Sequence, residues 1–192
     1  MLPGDTRVRA PYQPARRHVR PDPLKGEPMK PLPPAAQALA AKILAAVTDL
    51  TLASIRDDGT PHASTVSFAA DGLVLYVAIA LDSHKAHNLR THPQVALTVN
   101  APYRGWQEIQ GLSMDAMAEM IHEPVEAQRA ATALLARFPA FADVVANTAA
   151  LPWPGMLFVR ITPLALSLLD YTKGFGHTDF FDLRDSAAGR LA

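Results

Sequence analysis

The spacing of apolar residues changes along the chain, and the changes mark its predicted elements. From Pro34 to Val47 apolar residues recur at helical spacing behind prolines that suit a first turn, which predicts an amphipathic helix. Shorter apolar runs bounded by turn residues then predict strands at 50–55, 61–68 and 73–79. Tight turns at Asp57-Asp58-Gly59 and Asp71-Gly72 join these strands, which predicts an antiparallel meander.

A helix and two strands are predicted in the middle of the chain. The helix covers 83–91 and ends before the His92-Pro93 pair, because proline disfavours helical backbone in the residue before it. A strand at 94–99 follows. Residues 106–120 fit a long bent strand with a kink near Gly111.

Two more helices and three short strands are predicted in the last third. The helix at 123–138 is expected to turn apolar residues inward, namely Val125, Ala130, Leu134, Leu135 and Phe138. A shorter helix at 140–147 precedes strands at 156–162, 164–171 and 179–183, with Pro163 separating the first two. Six or seven mostly antiparallel strands with few helices predict a barrel-like α+β domain that is mainly β.

The first 34 residues differ from the rest and are predicted to be an arm, with one domain over 35–192. The arm holds nine prolines and seven basic residues against three acidic ones. Proline fixes φ and removes a donor, so a long helix or a central strand is excluded there. We expect the arm to extend over the body or a partner subunit, with binding of an anionic partner as the alternative.

Composition narrows the function classes. Eighteen basic residues balance eighteen acidic ones, so no net field favours nucleic acid or an anionic membrane. The chain has no cysteine, which excludes thiolate chemistry and fits a reducing compartment. Neither a secretory signal nor an apolar run of membrane-spanning length is present, so a cytoplasmic protein is expected. Dinucleotide-binding, P-loop and serine-esterase motifs are also missing.

The best functional signal is Ser83-His84-Lys85 at the start of the predicted helix. Free amides at a helix N-terminus favour an anion, and a hydroxyl and an ammonium there suit a phosphate. The simpler interpretation is that Ser83 only caps the helix and both basic residues are solvated.

A polar row on the second predicted strand supports the functional interpretation. It consists of His62, Ser64, Thr65 and Ser67. Short hydroxyl residues beside an apolar barrel wall suit the polyol chain and ring edge of a flavin. The alternative is an edge strand that faces water.

Histidine spacing does not predict a metal site. His84, His87 and His92 lie close together, but no third ligand with a carboxylate partner is visible at a definite spacing. His177 follows Gly174-Phe175-Gly176, which fits either a structural turn or a catalytic or haem-ligating histidine. Trp106 is favoured as a packing anchor, although a tryptophan can wall a flavin ring.

Several of these segments together resemble the FMN-binding split-barrel family that includes pyridoxamine 5′-phosphate oxidase. The resemblance rests on the Gly59-Thr60-Pro61 strand, then Ser83-His84-Lys85 with Leu89, and Pro93-Gln94-Val95 with Leu97. It is clear over 50–111 and weaker to 183. What it implies is an antiparallel six-stranded split β-barrel with flanking helices that forms a homodimer with FMN at the interface.

The resemblance also implies which residues hold FMN. His84 and Lys85, with Ser83 beside them, match the phosphate-holding positions. Ser64, Thr65 and Val66 match the strand along the ribityl chain and ring edge, beside His62. Trp106 and Gln107 fall near a flavin-contacting glutamine of the family. No catalytic residue is assigned; His62 and His177 are the candidates.

Departures from the family limit what the resemblance implies about the reaction. The oxidase has an arginine at the position of Ser64, a basic residue near Ala69, and a C-terminal Trp and Arg pair without a match after Leu164. A flavin-dependent oxidoreductase acting on another small molecule is therefore expected. The turn at 174–177 is similar to that of haem-utilisation proteins on the same barrel, so a haem-binding protein is one alternative. A non-catalytic flavin carrier or sensor is the other.

Overall fold

Nearly every predicted element is present with similar bounds. The computed structural model describes residues 30–145 and 147–184. Its strands are β1 (Lys30–Pro31), β2 (Asp49–Ile55), β3 (Pro61–Ser67), β4 (Ala69–Asp71), β5 (Val74–Ala80), β6 (Gln94–Asn100), β7 (Gln110–Met120), β8 (Met156–Asp170) and β9 (Thr178–Asp182). Its helices are α1 (Pro34–Ala46), α2 (His84–Thr91), α3 (Pro124–Arg137) and α4 (Phe141–Val144). Short 3-10 turns span Trp106–Glu108 and Tyr171–Lys173. The predicted class, mixed and mainly β, is confirmed.

All strands join one sheet, and the long strand β8 connects its two halves. On one side β8 pairs with β7, which continues through β6 and β2 to β3. On its other side β8 pairs with β5 along its first half and with β9 along its second half. Every ladder is antiparallel except the two-residue pairing of β1 with β9.

The predicted meander is wrong in its second half. The turn at Asp71-Gly72 joins β4 to β5, and β5 then pairs with β8 instead of β3. The physical reason is that β5 is apolar on both faces, so it needs cover on both sides. In the described part of the chain no ladder joins β3 to β5, so the sheet curls without closing. A closed six-stranded barrel is therefore not confirmed.

Pro163 does not separate two strands as predicted. It lies inside β8, opposite Ala116, where the register with β7 shifts between Asp115 and Ala116. The residue left out of the register is the neighbouring Leu164, and this local break in the ladder tolerates the missing amide of Pro163. Gly111 allows close packing against Asn100 and is not explained by a kink. A Cβ at this position would lie 2.5 Å from the Asn100 Oδ1 atom.

The sheet separates two hydrophobic cores. The main core lies inside the curl and includes Leu52, Leu75 and Leu97, with the inner face of α1 against it. The second core lies between the outer face of β5 and α3, around Trp153 and Leu134. The predicted inward face of the 123–138 helix is only partly correct. Val125 is 73% exposed, because it lies on the far side of α3 from the buried Leu134.

The predicted short helix at 140–147 is found only as Phe141–Val144. Residues 30–34 of the predicted arm are described: Lys30–Pro31 forms β1 against the edge of β9, and α1 begins at Pro34. Residues 1–29 lie outside the described part, so the predicted arm stays a prediction there. Among the described helices, none combines the length and apolarity that a membrane span requires.

Candidate functional site

Helix α2 begins as the sequence predicted, with Ser83 as its N-cap. The Ser83 hydroxyl accepts a hydrogen bond from the Ala86 amide at 3.2 Å and donates one to the Ala80 carbonyl at 2.7 Å. Its proton is thus already used within the protein. The amides of His84 and Lys85 bond to no described residue, as expected in a first helical turn. An anion at this helix end would be bound by those two amides rather than by the Ser83 hydroxyl.

Two polar contacts fix α2 against the β2–β3 hairpin. The Asn88 side chain donates to the Ser54 hydroxyl at 2.9 Å, and both residues are 2% exposed. At the surface, His87 Nε2 lies 2.6 Å from Asp57 Oδ2. The hydrogen bond from His87 lowers the pKa of the Asp57 carboxyl, so Asp57 carries its charge over the neutral range. Together these contacts set the position of the helix N-terminus relative to β3.

The Asn88–Ser54 bond is expected to stabilise this corner measurably. Asn88→Ala should lower the free energy of unfolding by about 1–3 kcal/mol, since the buried Ser54 oxygen loses its donor and keeps only its long bond to the His62 carbonyl at 3.5 Å. Urea unfolding of the two single variants and of the double variant with Ser54→Ala measures the coupling. We expect a coupling energy of about 1 kcal/mol. Strictly additive effects would contradict this contact.

His62 and Ser64 bring two unpaired polar atoms to the same corner. Both residues lie on the β3 face that pairs with Ser54 and Leu52 of β2. His62 Nδ1 and Ser64 Oγ are buried and have no hydrogen-bond partner among the described residues. Buried polar atoms without partners are rare in folded proteins because each costs about 1–3 kcal/mol. The ring of His62 lies near that of His84, with centroids 6.4 Å apart in an edge contact.

The predicted polar row on β3 is divided between the two faces of the strand. His62, Ser64 and Val66 face inward, and Val66 is a core residue at 6% exposure. Thr65 is exposed on the outer face, and Ser67 donates to Asp49 at 2.6 Å. Strand alternation causes the division, since successive side chains point to opposite faces. Only His62 and Ser64 therefore present polar side chains toward the inner side.

Lys85 is a cation in the first turn of α2, beside the amides that lack helical partners. Its side chain is half-buried and forms no ion pair or hydrogen bond with a described residue. His84 beside it is exposed. The corner thus offers one ammonium, two amides and two imidazoles without an acidic residue in contact with Lys85, which suits an anionic group.

Trp106 and Gln107 are not brought to this corner within one chain. They lie in the 3-10 turn after β6, beyond Asn100, whereas His62 lies at the opposite end of the β2–β3–β6 ladder. His62 lies level with Val95 of β6, five residues before Asn100 at the end of that strand, which corresponds to roughly 16 Å along the strand. Trp106 is 53% exposed and makes an edge contact with Phe175, whose ring in turn packs on Tyr171.

His177 lies near that aromatic cluster and belongs to a small charged network. Its Nε2 is 3.0 Å from Asp179 Oδ2, which Lys173 also contacts at 3.1 Å. Lys173 and then His177 lower the pKa of the Asp179 carboxyl. This arrangement fixes the turn that the glycines predicted. Within the described ranges, no group of three His, Asp or Glu side chains could hold a metal ion.

Sequence reasoning missed the buried pair Ser54 and Asn88. Both were visible signals, because each is a polar residue at a position where its element predicts an apolar one. Ser54 follows Leu50 and Leu52 in the alternation of β2, and Asn88 lies beside Leu89 on the inner face of α2. Their pairing depends on the tertiary contact of α2 with β2, which spacing alone does not give.

The curled, mainly β sheet, with a capped helix before β6 and a polar corner between them, defines a fold rather than a particular reaction. A family model described as pyridoxamine 5′-phosphate oxidase matches residues 37–166, well over half of the chain. The chain belongs to the pyridoxamine 5′-phosphate oxidase family. No curated protein matches it.

Solved structures share this fold at low sequence identity. A heme binding protein from Mycobacterium smegmatis is 19% identical with a TM-score of 0.65; the alignment covers 78% of this chain and 59% of that one. HutZ, the heme storage protein from Vibrio cholerae, is 20% identical with a TM-score of 0.53, covering 69% and 90%. General Stress Protein 26 from Bacillus anthracis is 16% identical with a TM-score of 0.56, covering 77% and 98%. At these identities the likeness concerns the fold.

Proposed function

We propose that the chain is an FMN-binding protein that acts as a flavin-dependent oxidoreductase on a small molecule. The observation that carries the proposal is the pair of buried polar atoms of His62 and Ser64 beside the N-terminus of α2 and Lys85, none of which has a partner in the part of the chain that the structure describes. Membership of the family supports a flavin in particular. The cysteine-free sequence also favours a cytoplasmic location.

The residues at the corner fit FMN by the chemistry of their donors. Lys85 and the amides of His84 and Lys85 would hold the phosphate, and Ser83 would keep these amides in place as the N-cap. His62 and Ser64 would satisfy their buried atoms against the polyol chain or the ring edge, with the backbone of Thr65 and Val66 alongside. When bound, the flavin supplies the hydride and electron chemistry, and the protein's part is to bind and orient it.

A homodimer is part of the proposal, because Trp106 and Gln107 lie far from the phosphate corner within a single chain. Two chains related by a twofold axis can place the 3-10 turn of one copy near α2 of the other. Trp106 and Gln107 would then contact the flavin of the partner. The substantial exposure of Trp106 in one chain fits a residue that is covered on assembly.

The outer face of β2, β3 and β6 supports this assembly. Small residues face outward there, in contact across the ladders: Thr51, Ala53, Ala63, Thr65, Ala96 and Thr98. Charged residues are depleted in the centre of protein interfaces, and this set contains none. Since a flat face of small residues can meet its own copy closely, it is suited to a twofold interface.

A haem-binding protein is the second candidate. The observation that favours it is the approach of His84 to His62, since an exposed imidazole beside a half-buried one offers an axial ligand. Two of the similar structures are described as a heme binding and a heme storage protein. His177 is the other possible ligand on this view, although it is engaged with Asp179.

The absorption spectrum of the purified full-length protein separates these candidates. We expect the two flavin bands after incubation with FMN and removal of free ligand, at one flavin per chain. A Soret band after incubation with hemin, without retention of FMN, would favour the haem alternative and overturn the proposal. Retention of neither cofactor would overturn both.

Reduction of the bound flavin then separates an oxidoreductase from a carrier or sensor. An oxidoreductase is expected to pass electrons from NADH or NADPH through bound FMN to a soluble acceptor over many turnovers. Tight FMN binding without turnover, across a panel of donors and acceptors, would identify a non-catalytic flavin protein.

A further inference from the structure

A long groove along α3 lies away from the proposed flavin corner. One part, of about 540 Å³, is lined by Tyr76, Arg129, Val125 and neighbouring residues of α3 and β4. The other, of about 460 Å³, is lined by Leu44, Phe68 and alanines of α1, β4 and α3. The two parts are continuous, since Ala70, Ala133 and Ala136 line both.

The polar end of this groove contains the buried hydroxyl of Tyr76, close to Arg129. Tyr76 is 0% exposed, and its hydroxyl forms no hydrogen bond with a described residue. Burial raises the pKa of the Tyr76 phenol, so it keeps its proton and remains a donor. Arg129 lies within hydrogen-bonding reach of the phenol and so opposes that rise in pKa, and its guanidinium forms no ion pair with a described residue. The Tyr76 hydroxyl and the Arg129 guanidinium are therefore two donors at the same end of the groove.

The other charged groups at the groove limit what these donors can accept. Glu126 faces the phenol but is already paired with Arg160 at 2.7 Å. Asp71 lines the β4 wall. Its negative charge partly offsets Arg129, which disfavours a dianion such as a phosphate and leaves room for a single negative charge. At the far end Arg137 donates to the Ala45 and Val47 carbonyls, so it is occupied.

Apart from Gln128 and Thr132, which hydrogen-bond to each other, the remaining lining is mostly apolar and extends away from Arg129. Ala133 and Ala136 lie one and two turns along α3, about 10 Å from Arg129 at the farther point. Beyond them the groove continues between Leu44 and Phe68. A ligand with one carboxylate and a straight aliphatic chain matches both ends. We infer that this groove is a binding site for a fatty acid, with Tyr76 and Arg129 holding its carboxylate.

Titration of the full chain with decanoate, followed by amide NMR shifts, tests this site. We expect saturable shifts confined to α3, the β4–β5 hairpin and α1. Tyr76→Phe and Arg129→Met should each weaken binding about tenfold, since each removes a hydrogen bond to a charged group. Decanol, which has the same chain without the charge, should also bind about tenfold more weakly. Tyr103→Phe and Arg104→Met are matched controls elsewhere and should bind decanoate like the parent chain.

Two results would overturn the inference. One is equal binding of decanoate and decanol, which would indicate non-specific apolar contact. The other is unchanged affinity in both groove variants. Tyr76→Phe keeps the buried ring and removes only its hydroxyl, so it should melt near the temperature of the parent chain, which checks that the variant folds. FMN binding should be unaffected in these variants, so failure of the fatty acid site leaves the flavin proposal intact.

Discussion

Lys85→Ala is expected to weaken FMN binding by about 1.5–3 kcal/mol, which corresponds to roughly 10- to 150-fold in Kd. Lys85 would form a charge-assisted hydrogen bond with the phosphate, and nothing else among the described residues engages its ammonium. Fluorescence titration of apo protein with FMN measures the change.

Two controls make this experiment specific: riboflavin as the ligand and a substitution of a second cation on α2. Riboflavin lacks the phosphate, so its affinity should be the same in the parent chain and in Lys85→Ala. Arg90→Ala is the matched control, because Arg90 lies at the other end of α2 and donates to the Leu81 carbonyl. If FMN and riboflavin lose affinity equally, the lysine does not read the phosphate and the assignment of this corner is wrong.

Thr98→Arg is expected to convert the proposed dimer into a monomer and to weaken FMN binding by about 10- to 100-fold. Thr98 is exposed on the outer β2–β3–β6 face, opposite Thr51. A long charged side chain there would be desolvated against its own copy. The affinity falls because the Trp106 ring and the Gln107 hydrogen bond of the partner are lost together.

Sedimentation velocity and FMN titration of the same samples test this prediction. Gln37→Arg, an exposed position on α1, is the control and should remain dimeric with parental affinity. A parent chain that is monomeric at micromolar concentration would contradict the interface site directly. A monomeric Thr98→Arg that retains full FMN affinity would show that Trp106 and Gln107 do not contribute across an interface.

Local signals were enough to predict most elements of this fold. Gly59 and Gly72 both have positive φ at the predicted turns, and Ser83 caps α2 as its position suggested. Pairing between distant strands was not predictable in the same way. Strand β5 pairs with β8 and not with β3, because pairing with β8 buries both faces of β5. No local residue of β5 indicates which strand will be its partner.

In the candidate site, too, the local features were predictable from the sequence and the tertiary contacts were not. The helix start at 83–85 was predictable, because capping and the free amides are local properties. His62 and Ser64 lie on the face of β3 opposite to Thr65, because successive residues of a strand point to opposite faces. This arrangement could be predicted from the sequence. The Asn88–Ser54 bond and the distance of Trp106 from His62 were not predictable, since both depend on which strands are neighbours.

Amide NMR shifts of the full chain on stoichiometric addition of FMN show whether FMN binds with its phosphate at the N-terminus of α2. We expect the largest shifts at the amides of His84 and Lys85, followed by Ser64 and Thr65 on β3. The shifts of His84 and Lys85 should be lost when riboflavin replaces FMN. Shifts that are absent, or that cluster away from α2 and β3, would contradict this position of the phosphate.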